Sequence, residues 1–306
     1  MDISIIIPSY NHATYIAEAI QSVLRQTVPA QEVIVVDDGS TDQTREVVAQ
    51  FPAPVRYIYQ PNRGLSAARN TGIQASMSKW VAFLDADDWW LPEKIRLQTE
   101  ALERNPSAVL VYCSVWLQRP DGKRIYNSAC DPSRLWPRIR YQNCTTGSGS
   151  AVLVRKDVVV EAGGFDENLT ACEDWDLWVR LALRYPFASV REPVVVGRQH
   201  DSSMSTAYER MLANMEKIME GTLLQGLSGW QRFFWRRRIR SAELFRAALS
   251  ARAADLHMER NLLRKSLLQW PSPLFIPLRW AALARNILGP KRYSFLASPV
   301  KRARKA

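Results

Sequence analysis

The chain has 306 residues, 47% of them hydrophobic, which suits one large α/β domain with an appendage, or two domains. Its net charge of +11 is uneven: from Trp230 to the end there are 18 Lys and Arg against 3 Asp and Glu, whereas residues 1–229 hold 23 against 27. We therefore expect a slightly acidic N-terminal part and a basic tail that seeks an anionic surface. Because no apolar stretch reaches the ~20 residues that cross a bilayer, we expect no membrane-spanning segment.

The first residues, Met1–Ser4, lead directly into an apolar run. They lack the basic and apolar regions of a secretory signal, so we expect a cytoplasmic protein. The cysteines show no C-x-x-C spacing, which indicates reduced thiols and argues against a zinc site. They are Cys113, Cys130, Cys144 and Cys172.

Short apolar runs alternate with helical patterns in the first 90 residues, which predicts a doubly wound parallel sheet. Ligands of such sheets bind beyond the carboxyl ends of the strands, where this chain carries Tyr10, Asp38 and Asp85. The predicted strands are 4–8, 32–38, 55–59 and 80–84, with helices over 13–26 and 62–77.

Three carboxylates, Asp85, Asp87 and Asp88, follow the apolar run Val81–Leu84. Carboxylates this close repel one another unless a cation joins them. Oxygen ligands at a partly open site suit Mg²⁺ or Mn²⁺ that carries a phosphate. The alternative is a solvated cluster in which Asp88 caps a helix that begins at Trp89.

The remaining patterns are less regular. The segment 131–149, rich in Pro, Arg, Asn and Gly, is predicted to be a mobile loop beside the site. Elsewhere we predict helices over 92–105, 156–162 and 174–184, strands over 108–116, 150–154 and 194–200, a hairpin turn at Asp121-Gly122, and only helices after Met211. This divides the chain into an α/β domain, 1–205, and a basic, aromatic-rich helical extension, 206–306.

Six sequence motifs follow one another along the chain, and their order and spacing are more specific than any one of them alone. They are SIIIPSYN at 4–11, VIVVDDGST at 33–41, NRGLSAARNTG at 62–72, FLDADD at 83–88, GGFDE at 163–167 and EDWDLWVR at 173–180. Together they resemble the glycosyltransferase family 2 enzymes, over residues 1 to about 205. The resemblance implies a GT-A fold, which is a Rossmann-like, mostly parallel sheet flanked by helices. It also implies a nucleotide-diphosphate sugar as donor, with inversion at the sugar carbon.

The resemblance assigns roles at the nucleotide. Pro8 and Tyr10 would cover a uracil-like base, although Tyr10 also suits packing of its own loop. Asp38, or else Asp37, would accept a hydrogen bond from the base, while a helix cap is the alternative. Arg69 suits nucleotide recognition through its fork of donors, and a surface ion pair is its alternative.

At the diphosphate, the resemblance implies that Asp85 and Asp87 face the ribose and the metal. The metal ligands are expected among Asp87, Asp88 and His200, although a lone histidine is more often structural. The metal would neutralise the leaving group.

The catalytic base implied by the resemblance is Asp174, and Asp176 is a weaker alternative. An inverting transfer needs one carboxylate that removes a proton from the acceptor hydroxyl. Acidic residues at this position also favour the positive N-terminus of a helix, which is the structural alternative.

The tail mixes cations with aromatic residues, beginning with WQRFFWRRRIR at 230–240 and continuing through Trp270, Phe275, Arg279, Trp280, Arg285, Lys291 and Arg292. This suits a helix lying on anionic lipid, although amphipathic helices packed on the catalytic domain have the same composition. We expect no nucleic acid partner, because no nucleic-acid motif accompanies the charge.

The sequence thus predicts a metal-dependent inverting glycosyltransferase at the cytoplasmic face of the membrane, acting from a UDP-sugar onto a glycan or lipid-linked glycan. One alternative is a catalytically silent homologue that serves as a membrane-bound scaffold. Another is a sugar nucleotidyltransferase, but the loop Pro8–Asn11 lacks the Gly-rich, basic character expected of that class.

Overall fold

The computed structural model describes residues 1–145, 148–199, 208–251, 256–272 and 278–288. The chain divides into two compact units, Met1–Ser203 (unit 1) and Met204–Ala306 (unit 2). The predicted metal ligand His200 lies outside the described residues.

Unit 1 is built on a mixed sheet whose strands are, in spatial order, β3 (Val55–Gln60), β2 (Glu32–Asp38), β1 (Ile3–Ser9), β4 (Trp80–Phe83), β8 (Val152–Arg155), β6 (Leu110–Gln118), β9 (Phe187–Arg198) and β5 (Trp89–Trp90). A further strand, β7 (Arg124–Asn127), pairs with β6. The β3-β2-β1-β4 half is parallel, as predicted. Every residue of β1 and β2 is buried, because Ile- and Val-rich strands of a parallel sheet are covered on both faces. The strands are β1 Ile3–Ser9, β2 Glu32–Asp38, β3 Val55–Gln60 and β4 Trp80–Phe83, with helices α1 Ile16–Leu24, α2 Thr44–Val48 and α3 Leu65–Ala75.

The other half of the sheet differs from the prediction near Trp89. Trp89 and Trp90 form a short strand, β5, that pairs antiparallel with Val195 and Val196, and no helix begins there. The next helix starts at Lys94, so Asp88 does not cap it. The elements are β5 Trp89–Trp90, α4 Lys94–Arg104, β6 Leu110–Gln118, β7 Arg124–Asn127, β8 Val152–Arg155 and β9 Phe187–Arg198.

The segment predicted as a loop holds a short helix, α5 Leu135–Arg138, preceded by a 3₁₀ turn at Pro132–Arg134. A second 3₁₀ turn, Ser148–Ala151, leads into β8. Two helices follow β8: α6 Lys156–Glu161 and α7 Glu173–Ala182.

The α6–α7 connection is docked on α3 through Asn70. The Asn70 amide donates to the Phe165 carbonyl at 2.9 Å and accepts from the Phe165 N–H at 2.9 Å. Gly164 lies beneath this pair with φ +69°, and a Cβ there would be 2.7 Å from Asn70 Oδ1. The GGFDE segment therefore needs glycine at its second position, both for the backbone and for the contact.

We predict that Gly164→Ala destabilises the protein more than Gly163→Ala. Gly163 also has a positive φ, +86°, but a Cβ there meets nothing within 4 Å. Alanine at either position should cost about 1 kcal/mol of backbone strain. At Gly164 the displaced Asn70 should add about 1–3 kcal/mol. Urea unfolding of both variants measures the difference, and equal losses would show that the Asn70 contact adds nothing.

Unit 2 is helical over its described residues. Two of its helices pack closely at Ser241 and Ser266, whose hydroxyls each donate to the other residue's carbonyl, at 2.7 and 2.6 Å. The helices are α8 Tyr208–Ile218, α9 Gly229–Ala251, α10 Leu256–Gln269 and α11 Leu278–Leu288, with a π-helical turn at Met219–Leu223. Within the described ranges, none of the helices is long and apolar enough to cross a membrane.

Candidate active site

The loops after β1 and β2 are fastened to each other at the carboxyl edge of the parallel half. The Asn11 N–H donates to Ser40 Oγ at 2.9 Å, and the Thr41 N–H donates to Asn11 Oδ1 at 2.8 Å. Pro8 is buried at the end of β1, whereas the Tyr10 side chain is 47% exposed. The Tyr10 ring is therefore open to a ligand on an anchored loop.

Asp37 and Asp38 end β2 and are both almost fully buried. Asp37 accepts from the Ser40 N–H at 2.8 Å and from the Tyr57 hydroxyl. Asp38 Oδ1 accepts from the Gln60 amide and the Arg63 N–H, and its Oδ2 accepts from the Gly64 N–H at 2.7 Å. Asp38 thus fixes the loop before α3, and the second lone pair of Oδ2 is its remaining acceptor position.

Arg69 is completely buried between two carboxylates. Its Nη2 donates to Asp85 Oδ1 at 2.7 Å and its Nη1 to Glu173 Oε1 at 2.6 Å. Burial lowers the pKa of Arg69, but the charges of Asp85 and Glu173 outweigh it and hold the pKa above its usual value. Arg69 therefore stays charged and joins α3, the end of β4 and the start of α7.

An aromatic layer surrounds this buried cation. The Arg69 guanidinium lies 5.2 Å from the Phe165 ring centroid, and Phe165 packs edge-on against Phe83 and Trp178. The placement differs from the expected direct role at a nucleotide, because no part of Arg69 reaches the surface. Its contacts favour a role in positioning Asp85 and Glu173.

Two of the three carboxylates after β4, Asp85 and Asp88, have different partners. Asp85 faces Arg69, whereas Asp88 accepts from Ser150 Oγ at 2.7 Å and from the Arg198 N–H at 3.0 Å. Ser150 is fully buried and its hydroxyl also accepts from the Asp85 N–H at 3.0 Å. Burial, and then the charges of Asp87 and Asp85, hold the pKa of Asp88 well above its usual range.

These carboxylates fit a hard cation in part. In the portion of the chain that the structure describes, no three His, Cys, Asp or Glu side chains are grouped to hold a metal ion. However, Mg²⁺ commonly binds one or two carboxylates together with substrate phosphates, so three protein ligands are not required. The like-charge repulsion felt by Asp88 is the electrostatic condition that a cation would relieve.

Asp174 lies in the first turn of α7 and is 7% exposed. Its Oδ1 accepts from the Trp175 N–H at 2.7 Å, and its Oδ2 accepts from the Asn143 amide at 3.1 Å. Burial, and then the charge of Glu173, raise the pKa of Asp174 to about 7, although Arg69 opposes this. The side chain thus exchanges a proton near neutral pH, as a general base requires.

Asn143 is itself oriented. Its Oδ1 accepts from the Thr145 N–H at 3.1 Å and from the Thr145 hydroxyl at 2.7 Å, which directs its NH₂ group towards Asp174. The same segment is attached to α7 where Trp175 Nε1 donates to the Ile139 carbonyl at 2.6 Å. The irregular segment therefore supplies a partner to the predicted base.

Asp176, the alternative base, is held in an ion pair with Arg180. Its Oδ2 accepts from Arg180 Nε at 2.9 Å and from Nη2 at 2.7 Å. Arg180 also donates to the carbonyls of Ala162 and Gly164, which follow the end of α6. The Asp176–Arg180 pair holds α7 against the connection from α6, so Asp174 is better placed for chemistry.

Sequence reasoning missed Ser150 and Asn143. Neither lies in one of the six segments, and each acts on a carboxylate at least 31 residues away. Both side chains are common in turns, so no local signal distinguishes them.

The residues 4–162 match the family model of glycosyl transferase family 2. This chain belongs to that family. An uncharacterized glycosyltransferase of Rickettsia typhi is 31% identical over 232 residues, which are 72% of this chain and 71% of the relative. An uncharacterized glycosyltransferase of Haemophilus influenzae is 31% identical over 212 residues, which are 67% of this chain and 71% of the relative.

Solved glycosyltransferase structures share the fold. S. aureus TarS 1–349 in complex with UDP-GlcNAc has a TM-score of 0.64 at 19% identity, and the match covers 99% of this chain and 92% of the TarS 1–349 chain. The mannosyltransferase PcManGT from Pyrobaculum calidifontis, in complex with GDP-Man and Mn²⁺, has a TM-score of 0.60 at 18% identity, covering 93% and 86%. The predicted GT-A fold class is thereby confirmed.

We predict that Asn143→Ala raises the pKa of Asp174 in this glycosyltransferase by about one unit, because a hydrogen bond to the charged form worth about 1.4 kcal/mol is lost. Thr145→Val should produce a smaller shift in the same direction, since the Thr145 N–H still orients Asn143. Carboxyl ¹³C NMR titration of Asp174 measures both.

The matched control for these variants is Asn168→Ala, because the Asn168 amide bonds to the exposed Asp166. It should leave the titration of Asp174 unchanged. If the pKa of Asp174 were unchanged in Asn143→Ala, the hydrogen bond from Asn143 would not stabilise the charged form of Asp174.

Proposed function

We propose that this chain is a metal-dependent inverting glycosyltransferase. It transfers a sugar from a nucleotide-diphosphate sugar, a UDP-sugar in particular, to a hydroxyl of a glycan or lipid-linked glycan. The observation that carries the proposal is Asp174, a buried carboxylate with a pKa of about 7, whose neighbour Glu173 is joined to Asp85 by Arg69.

The chemistry follows from this linkage. Asp174 takes the proton of the acceptor hydroxyl while the acceptor oxygen forms a bond to the sugar carbon. The bond from that carbon to the diphosphate oxygen breaks, and the nucleoside diphosphate leaves with the electron pair. Arg69 fixes the start of α7 relative to the end of β4, so the base is held at a constant distance from the donor end of the site.

The donor side rests on the β1 and β2 ends. Tyr10 presents an exposed ring for stacking on a base above the buried Pro8, and the remaining lone pair of Asp38 Oδ2 suits a base N–H. Asp85 and Asp87 are assigned to the ribose and phosphate end. Uridine is the favoured base because TarS, similar in fold, binds UDP and UDP-GlcNAc.

A divalent cation would be held by Asp87 and Asp88, with His200 as a further candidate ligand. Mn²⁺ accompanies GDP-Man in the mannosyltransferase of similar fold, and Mg²⁺ is the alternative. When bound, the cation neutralises the charge that develops on the leaving diphosphate.

A glycan acceptor is supported by Trp136. Its ring is 44% exposed and lies 4.5 Å from the Arg140 guanidinium, on the segment that also supplies Asn143 to Asp174. An exposed, supported tryptophan is a flat apolar surface on which a sugar ring can stack.

We predict that Asp174→Asn retains nucleotide binding and loses at least a thousandfold in transfer rate, because the amide cannot accept the proton at neutral pH. The wild-type rate should rise with pH towards a plateau above about 7, as Asp174 loses its proton. Near-normal turnover in Asp174→Asn would refute the assignment.

Two variants serve as controls for Asp174→Asn. Asp166→Asn, at an exposed carboxylate of the GGFDE segment, should transfer normally. Asp176→Asn should unfold at a lower temperature because Arg180 loses its partner, while its folded fraction still transfers sugar.

The donor is tested by thermal stabilisation with UDP, GDP, CMP and dTDP, each with and without Mn²⁺. UDP should give the largest shift and should need the metal. Tyr10→Ala should weaken UDP binding about tenfold, since stacking of one base is worth about 1–3 kcal/mol. Tyr126→Ala is the matched control, because Tyr126 is also 47% exposed but lies on β7. The absence of a shift with every nucleotide would favour the silent-scaffold alternative.

A further inference from the structure

Unit 2 carries an exposed cluster of large apolar side chains, here called the aromatic patch: Trp230, Phe233 and Phe234 of α9 with Leu268 and Trp270 at the end of α10. Trp230 is 78% exposed, Phe233 51%, Phe234 46% and Leu268 75%. The rings form a continuous set, with Trp230 and Phe233 centroids 6.3 Å apart and Phe234 and Trp270 5.7 Å apart. Contiguous exposed aromatics of this kind mark an interaction site.

The aromatic patch is a built surface. Trp230, Phe233 and Phe234 share one face of α9, and Arg237 continues that face one turn later. Arg237 donates to the carbonyls of Leu268 and Gln269 at 2.8 Å each, which fastens α10 beside the rings.

The backbone at Trp270 is held in place by Arg279. The buried Arg279 donates from Nη1 to the Trp270 carbonyl at 2.6 Å and from Nη2 to the Ser272 carbonyl at 2.8 Å. Arg279, which the tail composition suggested for an external surface, is therefore an internal support. Phe275, Lys291 and Arg292 lie outside the described residues.

The cations of α9 and α10 differ in whether they have carboxylate partners. On the face of α9 turned to α8, Arg232, Arg236 and Arg240 are paired with Glu216 and Glu220.

Cations without a carboxylate partner lie beside the aromatic patch. Arg264 and Lys265 of α10 are exposed, form no ion pair with any described residue, and lie one turn before Leu268. Among the described residues, no carboxylate therefore compensates the positive charge next to the aromatic patch.

We propose that the aromatic patch docks unit 2 onto an anionic lipid bilayer. Tryptophan and phenylalanine enter the boundary between headgroups and acyl chains, while Arg264 and Lys265 meet the anionic headgroups. A second copy of this chain is a poorer occupant, because a two-fold contact would place the two sets of cations against each other. The inference is independent of the transfer chemistry, since it uses no residue of the candidate active site.

The test is sedimentation of the full chain with vesicles of phosphatidylcholine alone and with 30% phosphatidylglycerol, at low and high salt. We expect at least tenfold tighter binding to the anionic vesicles, with release at high salt. Trp230→Ser/Phe233→Ser/Phe234→Ser should lose that binding at all salt concentrations. Arg264→Gln/Lys265→Gln should weaken it severalfold and flatten its salt dependence.

The matched control replaces exposed apolar residues of unit 1, Met77→Ser/Val160→Ser, which are 79% and 57% exposed. It should bind vesicles as the wild type does. Stabilisation by UDP should persist in every variant, so a failed membrane test and a failed donor site are told apart.

Three outcomes would overturn the inference. They are equal binding to both kinds of vesicle, undiminished binding by the triple serine variant, and a dimer in solution that the triple variant converts to a monomer. The last result would assign the aromatic patch to self-association.

Discussion

The buried charge of Arg69 is the constraint on which the candidate site depends. An unpaired guanidinium in the interior would cost several kcal/mol, so α3, the end of β4 and the start of α7 must come together to supply Asp85 and Glu173. Phe165 packs on the same cation, and Asn70 holds Phe165. One side chain thereby ties together parts of the chain that lie 104 residues apart.

The same cation separates the roles of two neighbouring carboxylates. Glu173 takes a terminal nitrogen of Arg69 directly, whereas Asp174 feels Arg69 only at a distance and feels Glu173 as a like charge. Burial then raises the pKa of Asp174 to about 7. Glu173 is thus held in an ion pair, whereas the neighbouring Asp174 can exchange a proton near neutral pH. The first residue positions the site and the second is available for proton transfer.

The parts of unit 1 that sequence predicted well are those with local signals. The bounds of β2 agree with the prediction, because a continuous Val/Ile run between charged residues marks a buried strand. The sequence also singled out the acidic cluster after β4 and Asp174, through the end of an apolar strand and the family segments, and their roles at the site stay predictions.

The failures share one physical cause, which is dependence on a distant partner. Trp89–Trp90 is a strand only because β9 pairs with it about 106 residues later. The ion pair that buries Arg69 against Glu173 joins residues 104 positions apart, and Asn143 acquires its contact with Asp174 across 31 positions. Hydrophobic periodicity and motif spacing depend on neighbouring residues and cannot predict contacts of this kind. The positions of these side chains at the site therefore had to come from the structure.

In unit 2 the sequence could not predict which side chains of α9 are exposed to solvent. The composition of 230–240 suited a helix on anionic lipid, but residues 230, 233, 234 and 237 also have the spacing of an ordinary core-facing helix, so the sequence did not decide between an exposed and a buried position for the rings. The ion pairs with Glu216 and Glu220 turn another face of α9 towards α8, and Arg237 reaches across to α10. With those contacts made, the rings lie exposed beside Arg264 and Lys265, which form no ion pair with a described residue. The placement of charge on α9 and α10, more than its amount, is therefore what supports the proposal that this surface meets lipid.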